Sequence, residues 1–269
     1  MHEIVFNGET CRGCGTCAAA CPAGLIRLVE GHPARLSSER CRECFHCVAA
    51  CPSGAAEVCG FLHETAPADS PFLSRRSCRS YAPDPVDRAV LAALAVKADQ
   101  APRVSRPTSR RYVYVTEPGS LANLRNALVP EIHKARALFR LMASLPLLPR
   151  GPKRKLREYL DIFEMASRRI KTGWDVFHGA PIVVLVTGSR AEGMNKEDGV
   201  YAMQQLLLLA EASGLGGCVN GFIAGFPRVA ARALGLPKKE VVWAAATLGY
   251  PRVRFNRVVL RKDLDIQWR

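Results

Sequence analysis

The sequence predicts a protein of the α+β or α/β class, made of a small cysteine-rich domain and a larger domain. Three observations support this class. Eight of the eleven cysteines fall in two runs of one spacing near the start, strand-like and helical segments alternate afterwards, and charge is divided unevenly between the two parts. The 269 residues are enough for both domains, each with its own core.

The two cysteine runs share the pattern C-x-x-C-x-x-C-x-x-x-C-P and repeat after thirty residues. This spacing is typical of [4Fe–4S] clusters, in which the fourth cysteine of one run binds the other cluster. The crossing assigns one cluster to Cys11, Cys14, Cys17 and Cys51. It assigns the other cluster to Cys41, Cys44, Cys47 and Cys21.

Two other interpretations of the cysteines are weaker. Disulfides are disfavoured because the cysteines stand too close along the chain for unstrained local pairing. Zinc stays open as an alternative, although structural zinc sites usually take two separated C-x-x-C pairs. The remaining Cys59, Cys78 and Cys218 are read as small buried hydrophobic residues, and His46 as a neighbour of the clusters.

The distribution of charge limits the kinds of partner that this protein can have. Residues 1–70 hold five Lys and Arg against eight Asp and Glu, a formal charge of −3. Since the whole chain carries +14, the remaining residues carry +17. No nucleic-acid-binding motif accompanies this basic charge, and we expect no nucleic-acid partner. No run of eighteen apolar residues is present, so no membrane span is expected. Reduced thiolates and the lack of a leader-like start predict a cytoplasmic protein.

The elements after the cysteines are predicted in order. Residues 63–74 are rich in Pro and Ser and predict a linker between domains 1–62 and 75–269. Asp84 and Pro85 predict the start of a helix. A short strand is expected at 112–115, and a helical stretch at 121–171 is broken where three prolines and a glycine occur near 146–152.

The second half of the chain alternates between buried strands and helices. Apolar runs at 182–187 and 241–248 are typical of buried strands. A long helix at 197–213 ends at Gly214, a Gly-rich strand follows at 215–222, and a helix is expected at 227–234. The tail, 252–269, is basic and predicted to be extended.

Two resemblances follow from these motifs. Residues 4–59 resemble bacterial-type two-cluster ferredoxins, and the chain from residue 75 onward resembles the flavin-dependent nitroreductase family. The second likeness is carried by R-R-S-x-R at 75–79, G-A-P at 179–181, a long helix and Gly strand at 197–220, and L-G-Y-P at 248–251. Ferredoxin-fused members of the family share this layout, so the likeness covers nearly the whole chain.

The resemblance implies an α+β fold, in which a small ferredoxin-like domain precedes a domain with a central mixed sheet flanked by helices. It also implies a homodimer with one FMN per subunit. It implies a phosphate-binding set near the flavin, which comprises Arg75, Arg76, Ser77, Arg79, Arg257 and Arg261. Backbone approaching the flavin ring would come from Gly217, Cys218 and Gly221. Flavin N5 would carry the chemistry, so no catalytic side chain is predicted.

One segment departs from the family pattern. Arg106 stands where the family usually has a flavin-binding Asn, and Thr108 stands where it has Gln. A cation at Arg106 would favour a reduced, anionic flavin. The basic insert at 131–171 is predicted to cover the substrate pocket, with a helix on a membrane surface as the alternative.

These features predict an oxidoreductase. Electrons would pass from an external donor, which is a ferredoxin, another redox protein or NAD(P)H, through the two clusters to FMN. A small organic acceptor, namely a nitroaromatic, a quinone or an activated alkene, would receive them. An electron-transfer or flavin-handling module without its own organic substrate remains the alternative, and a redox-sensing nucleic-acid binder is a third hypothesis.

Overall fold

The computed structural model describes residues 3–35, 41, 43–59, 63–67, 70–103, 109–145, 150–191, 195–261 and 266–269. The chain divides into two compact units. The first comprises residues 1–82, 207–217 and 250–269, and the second comprises 83–206 and 218–249. No helix in the described ranges combines the length and apolar character needed to cross a bilayer.

The elements follow one another along the chain. The first part contains β1 (Glu3–Phe6), α1 (Thr16–Ala20), β2 (Ile26–Val29), β3 (His32–Arg35), α2 (His46–Ala50), β4 (Ala56–Cys59), β5 (His63–Pro67) and α3 (Pro71–Ser74). The next part contains α4 (Arg88–Ala98), β6 (Arg111–Val115), α5 (Pro118–Ser144), α6 (Arg150–Lys171) and β7 (Ile182–Ser189). The last part contains α7 (Asn195–Ala212), β8 (Gly216–Val219), α8 (Gly221–Gly225), α9 (Pro227–Ala233), β9 (Glu240–Gly249) and β10 (Arg257–Arg261).

The cysteine-rich region has two matching halves. Helices α1 and α2 each have five residues, begin thirty residues apart, and end at Cys21 and Cys51. Both start after a left-handed residue, which is Gly15 in the first half and Phe45 in the second. A non-glycine residue costs about 1–2 kcal/mol in this conformation, so Phe45 is held there by its buried packing. Strands β1 and β4 pair antiparallel and join the two halves.

The C-terminal strand β10 belongs to the first unit. It pairs antiparallel with β5, with residue 257 opposite residue 67 and residue 261 opposite residue 63. The predicted linker at 63–74 therefore carries a strand and the short helix α3. The predicted extended conformation of the tail is found in its described part, and β10 gives that extension a partner.

The second unit is built on the sheet β6-β7-β9-β8. Strand β7 pairs antiparallel with both β6 and β9, and it is almost entirely buried. The core beside it comprises Leu124, Leu128, Ile132, Phe177, Ile223 and Ala245. This continuous apolar pattern explains why the predicted strands at 182–187 and 241–248 are found at nearly those positions.

Helices α5 and α6 pack against each other, and the proline-rich break predicted near 146–152 falls between them. Phe139 stacks on Tyr159 and on Phe163, with ring centroids 5.6 and 5.3 Å apart. Arg140 also forms an ion pair with Glu164 across the two helices. The basic insert is thus a helical hairpin.

Helix α4 begins later than the sequence predicts. Its N-cap is Asp87, whose carboxylate accepts a hydrogen bond from the Ala89 N–H at 2.8 Å. The first helical residue is Arg88, so Asp84 and Pro85 both precede the helix. The prediction at Asp84 is therefore wrong by three residues, and the competing Asp supplies the cap.

Candidate functional site

One thiol group is assembled from the ligands predicted for the first cluster. Cys14, Cys17 and Cys51 lie close enough for each unprotonated sulfur to raise the pKa of another, and Cys11 packs beside the core that contains Cys51. Cys14 is exposed, and the hydroxyl of Thr16 at 3.3 Å lowers the pKa of its thiol. Burial raises the pKa of Cys17.

A second thiol group lines a cleft of about 450 Å³ that is partly open to solvent. Its sulfur-bearing walls are Cys21, Cys41, Cys44 and Cys47, and its other walls are mostly apolar. This is the set that the crossing pattern predicts for the second cluster, with Cys21 contributed by the first run. Burial, with smaller contributions from nearby Cys44, Cys21 and Cys41, raises the pKa of Cys47 to about 12.

These donor sets fit cubane clusters. Within the described ranges, no three His, Cys, Asp or Glu side chains converge tightly enough for a single metal ion. The second thiol group instead lines a cleft, as thiols must when each binds a different iron of a cube. Thiolates this close together repel one another, and the positive irons of a cluster would remove that cost.

The R-R-S-x-R segment lies between two of the other family segments within the first unit. Ser77 forms a parallel bridge with Gly217, and the Cys78 N–H donates to the Gly217 carbonyl at 3.0 Å. On the other side, Tyr81 pairs antiparallel with Pro251 of the L-G-Y-P motif. The bridge at Ser77 is parallel, whereas the β6–β7 and β7–β9 pairings are antiparallel. The three motifs are thus adjacent in space although they are far apart in sequence.

Glycine is required where these segments meet. A Cβ on Gly216 would lie 2.7 Å from the Cys78 Cβ, 2.8 Å from its Sγ and 3.2 Å from the Pro251 Cβ. The buried Cys78 thiol donates to the Ser80 carbonyl at 3.4 Å, which fixes its position. Cys78 is therefore a packing residue, as the sequence suggests, and it excludes any side chain at Gly216.

A polar pocket of about 790 Å³, partly open to solvent, adjoins the R-R-S-x-R segment, here called the ribbon, in the first unit. Arg76 and Arg254 both line it, together with the carboxylate-bearing Glu211. Its remaining walls are Ser74, Cys78, Gly214, Leu215, Gly216, Pro251, Val253, Phe255 and Asn256. Two guanidinium groups in one pocket can bind an anion such as a phosphate bidentately.

The arginines of the R-R-S-x-R segment also act on the cysteine-rich region. Burial, together with the charges of Arg79, Arg76 and Arg75, lowers the pKa of His46 to about 4. Arg79 also donates to the Ser77 carbonyl at 3.3 Å, which holds it along the ribbon. These arginines therefore lie close enough to His46 to act on its charge, and Arg76 also lines the polar pocket.

Arg257 contacts the cysteine-rich region directly. Its Nη2 donates to the carbonyls of Val48, at 3.1 Å, and Cys51, at 2.9 Å. A Cβ on Gly54 would lie 3.1 Å from the Arg257 Nη1. These contacts indicate that Arg257 holds the loop at Cys51, rather than making the phosphate contact that the sequence predicts for it.

Two of the other predicted flavin contacts, Cys218 and Gly221, lie in β8 and at the start of α8. Cys218 is buried in β8, and its carbonyl accepts a hydrogen bond from the Thr247 hydroxyl at 3.3 Å. Gly221 begins α8, and a Cβ there would meet no atom within 4 Å, so a ligand could approach its backbone. Arg106 lies outside the described residues, and so does the side chain of Arg261.

Sequence reasoning missed three residues with defined roles. Arg254 and Phe255 line the polar pocket, but nothing distinguishes them within a basic tail. Asp175 accepts hydrogen bonds from Arg125 at 2.7 Å and from the Gly179 N–H at 2.9 Å, and so fixes the turn that carries G-A-P. An Asp four residues before a Gly-containing turn was the available signal.

The fold and the thiol groups define the class of this protein as an iron–sulfur oxidoreductase of α+β architecture. Comparison with family models gives a match to the nitroreductase family over residues 73–250. A second match, to a 4Fe-4S dicluster domain, covers residues 3–52. The chain belongs to the nitroreductase family and carries a 4Fe-4S dicluster domain at its N-terminal end.

Solved structures support the fold. An FMN- and NADPH-dependent nitroreductase mutant from Sphigopyxis sp. strain HMH is 24% identical, with a TM-score of 0.53 over 72% of this chain and 95% of that one. A nitroreductase with bound FMN from Desulfitobacterium hafniense DCB-2 is 18% identical, with a TM-score of 0.52 over 74% and 96%. One from Bacteroides fragilis NCTC 9343, also with bound FMN, is 19% identical, with a TM-score of 0.50 over 72% and 95%.

At these identities the likeness to solved structures shows the fold alone. No curated protein matches the sequence. The predicted family, the α+β class, the oxidoreductase assignment and the two-cluster domain are confirmed by the family matches.

Proposed function

We propose that the protein is an FMN-dependent oxidoreductase whose clusters supply its flavin. Electrons pass from an external donor through the two [4Fe–4S] clusters to FMN and then to an organic acceptor, which is a nitroaromatic, a quinone or an activated alkene. The observation that carries this proposal is the placement of the arginine-lined pocket and the second thiol group within one compact unit. The FMN-bound neighbours support the choice of flavin.

The polar pocket supplies the proposed phosphate site. Arg76 and Arg254 line it and offer permanently charged donors to a dianionic phosphate. Arg75, Arg79 and Ser77 stand on the same ribbon as Arg76 and complete the proposed set. Glu211 lies in the same pocket and limits how much negative charge it accepts, which favours a single phosphate over a larger polyanion.

The ring of the flavin is proposed to lie against backbone. Gly217, Cys218 and Gly221 are the proposed contacts, since a glycine N–H can approach a ring closely. The open space beside the Gly221 Cα supports this assignment. Flavin N5, when FMN is bound, supplies the hydride or single-electron chemistry, and the side chains supply position and charge.

The first thiol group is the proposed entry for electrons. Cys14 and its neighbour Arg12 are exposed, so a redox protein can approach this part of the chain. A ferredoxin is therefore favoured as donor, while NAD(P)H acting directly on the flavin is the competing source. The NADPH dependence named for the Sphigopyxis enzyme supports keeping that second source.

The proposal includes a homodimer with one FMN per subunit, working in the cytoplasm. A cytoplasmic setting suits cysteines that must stay reduced to bind iron. Size-exclusion chromatography with light scattering on the anaerobic holoprotein tests the dimer. A monomeric mass with full FMN content contradicts the dimer without affecting the oxidoreductase proposal.

Anaerobic reoxidation tests the proposed reaction. The holoprotein is reduced to completion, freed of reductant, and mixed with a nitroaromatic, a quinone and an activated alkene in separate stopped-flow runs. Substrate-dependent return of oxidised flavin absorbance, with a rate that rises with acceptor concentration, is expected for at least one class. Free FMN at the same concentration is the control for unassisted reoxidation. Equal rates with and without protein favour an electron-transfer module instead.

A further inference from the structure

Helix α2 runs alongside the segment that lines the polar pocket. The His46 and Phe255 rings lie with centroids 5.0 Å apart and tilted by 55°. One residue further along, the Asn256 N–H donates to the Ala49 carbonyl at 3.2 Å. These contacts hold residues 255–256 in register with α2, so the ring pair is a fixed feature of the first unit.

His46 lies among the ligands of the second thiol group. It stands between Cys44 and Cys47 in sequence, is only 7% exposed, and hydrogen-bonds the backbone of Ala20, which precedes Cys21. It therefore touches the stretches of chain that supply ligands from both cysteine runs. Phe45 lines the cleft itself, and His46 follows it in sequence and carries the contact on to Phe255.

Phe255 lies at the other end of the ring pair and lines the polar pocket together with Arg76 and Arg254. The described geometry thus gives a continuous path of two aromatic rings from the ligands Cys44 and Cys47 to the wall of the pocket. The first thiol group differs in exposure, because Cys14 is exposed whereas the four cysteines of the second group are only partly exposed.

We propose that the second cluster, held by Cys21, Cys41, Cys44 and Cys47, is the one that delivers electrons to the flavin, and that the His46–Phe255 pair is its exit. The first cluster, at the exposed Cys14 side, receives electrons from the donor. This order rests on the proposed function, in which the FMN phosphate occupies the polar pocket, so that Phe255 lies beside the phosphate end of the bound flavin.

Each [4Fe–4S] cluster, when bound, would carry one electron at a time, and FMN would accept two. Two molecules of reduced ferredoxin, each oxidised by one electron, would therefore supply the flavin, and solvent would supply its protons. His46 and Phe255 position the path and are not themselves oxidised or reduced.

Substitutions at Phe255 test the exit. Phe255→Leu removes the ring but keeps an apolar side chain, and Phe255→Tyr keeps the ring. Phe139→Leu is the matched control, since it removes a stacked ring in the α5–α6 hairpin instead. Each full-length holoprotein is mixed anaerobically with reduced ferredoxin, and cluster and flavin absorbance are followed together. Iron, sulfide, FMN content and cluster midpoint potentials are measured on the same samples.

Flavin reduction after cluster reduction is expected to be several-fold slower in Phe255→Leu. Phe255→Tyr and Phe139→Leu should match the parent, with unchanged cofactor content and potentials in all variants. A Phe255→Leu rate equal to that of Phe139→Leu overturns the proposed exit. Failure of the proposed function gives a different result, because the parent itself would then retain no FMN or would reduce its clusters without reducing the flavin.

Discussion

Arg257 is the residue at which sequence and structure suggest different roles, and one substitution separates them. Arg257→Met keeps most of the apolar stem and removes the guanidinium that donates to the Val48 and Cys51 carbonyls. Hydrogen bonds from a charged donor contribute about 1.5–3 kcal/mol each in favourable settings, and the partial exposure of Arg257 reduces this. We expect a loss of about 1–3 kcal/mol in the local stability of the segment at 46–51.

That loss converts to roughly 5- to 150-fold more frequent opening of the segment that carries Cys51. Hydrogen–deuterium exchange of residues 46–51 measures the opening, and the rate of iron release to a chelator measures its effect on the cluster. Arg257→Lys keeps the charge but loses the fork that spans two carbonyls, and it should give an intermediate result. The flavin affinity of both variants should equal that of the parent.

The opposite result would contradict this role of Arg257. If Arg257→Met leaves exchange and iron release unchanged but releases FMN, then Arg257 binds the flavin phosphate, as the sequence suggests. Arg252→Met is a suitable control, because Arg252 is an exposed arginine in the same tail with no place in either role.

Three further predictions concern separate parts of the fold. Arg76→Ala should weaken FMN binding on the order of ten- to a hundred-fold, because a charged contact to the phosphate is lost. Fluorescence titration measures the affinity, and Arg228→Ala, on the exposed side of α9, is the control that should bind FMN as the parent does. Equal affinities of the two variants would show that Arg76 does not bind the phosphate. Gly216→Ala should lower the free energy of unfolding by about 1–3 kcal/mol because its Cβ overlaps Cys78, whereas Gly225→Ala meets open space and should be neutral; matching denaturation midpoints would contradict the overlap. Burial raises the pKa of Asp175, but Arg125 and the Phe177 and Gly179 N–H groups together lower it by more. The pKa of Asp175 in the folded protein therefore lies below its ordinary value. The ionised form then stabilises the fold above the ordinary carboxyl pKa, and this stability is lost as pH falls through the folded value. Asp175→Asn should therefore lower the melting temperature at neutral pH and converge with the parent in acid, and a difference that does not change with pH would refute the linkage.

The cluster ligands were predictable because their chemistry is written in local spacing. Three of four ligands per cluster stand within seven residues of one another, and the fourth follows a five-residue helix that both runs repeat. The long apolar runs were predictable for a similar reason, since burial of β7 and β9 leaves a continuous pattern. Boundaries were less secure, as the shift from Asp84 to Asp87 at α4 shows.

The polar pocket could not be predicted, because it depends on contacts between distant segments. The pairing of β10 with β5 joins residues nearly two hundred positions apart, and neither strand differs in composition from an ordinary linker or tail. Just before this pairing, Phe255 contacts His46, and the first residue of β10, Arg257, contacts Cys51. Arg254 is consequently one basic residue among several in the sequence and a pocket-lining residue only in the fold.

The claim that the clusters and a flavin belong to one electron path is tested most directly by an anaerobic reductive titration of the full-length holoprotein. Iron and FMN are counted on the same sample, and cluster and flavin absorbance are followed as a one-electron donor is added. The account predicts about eight irons and one FMN per chain, and an uptake of about four electrons, two by the clusters and two by the flavin. An uptake of about two electrons, with the flavin absent or still oxidised when both clusters are reduced, would contradict it.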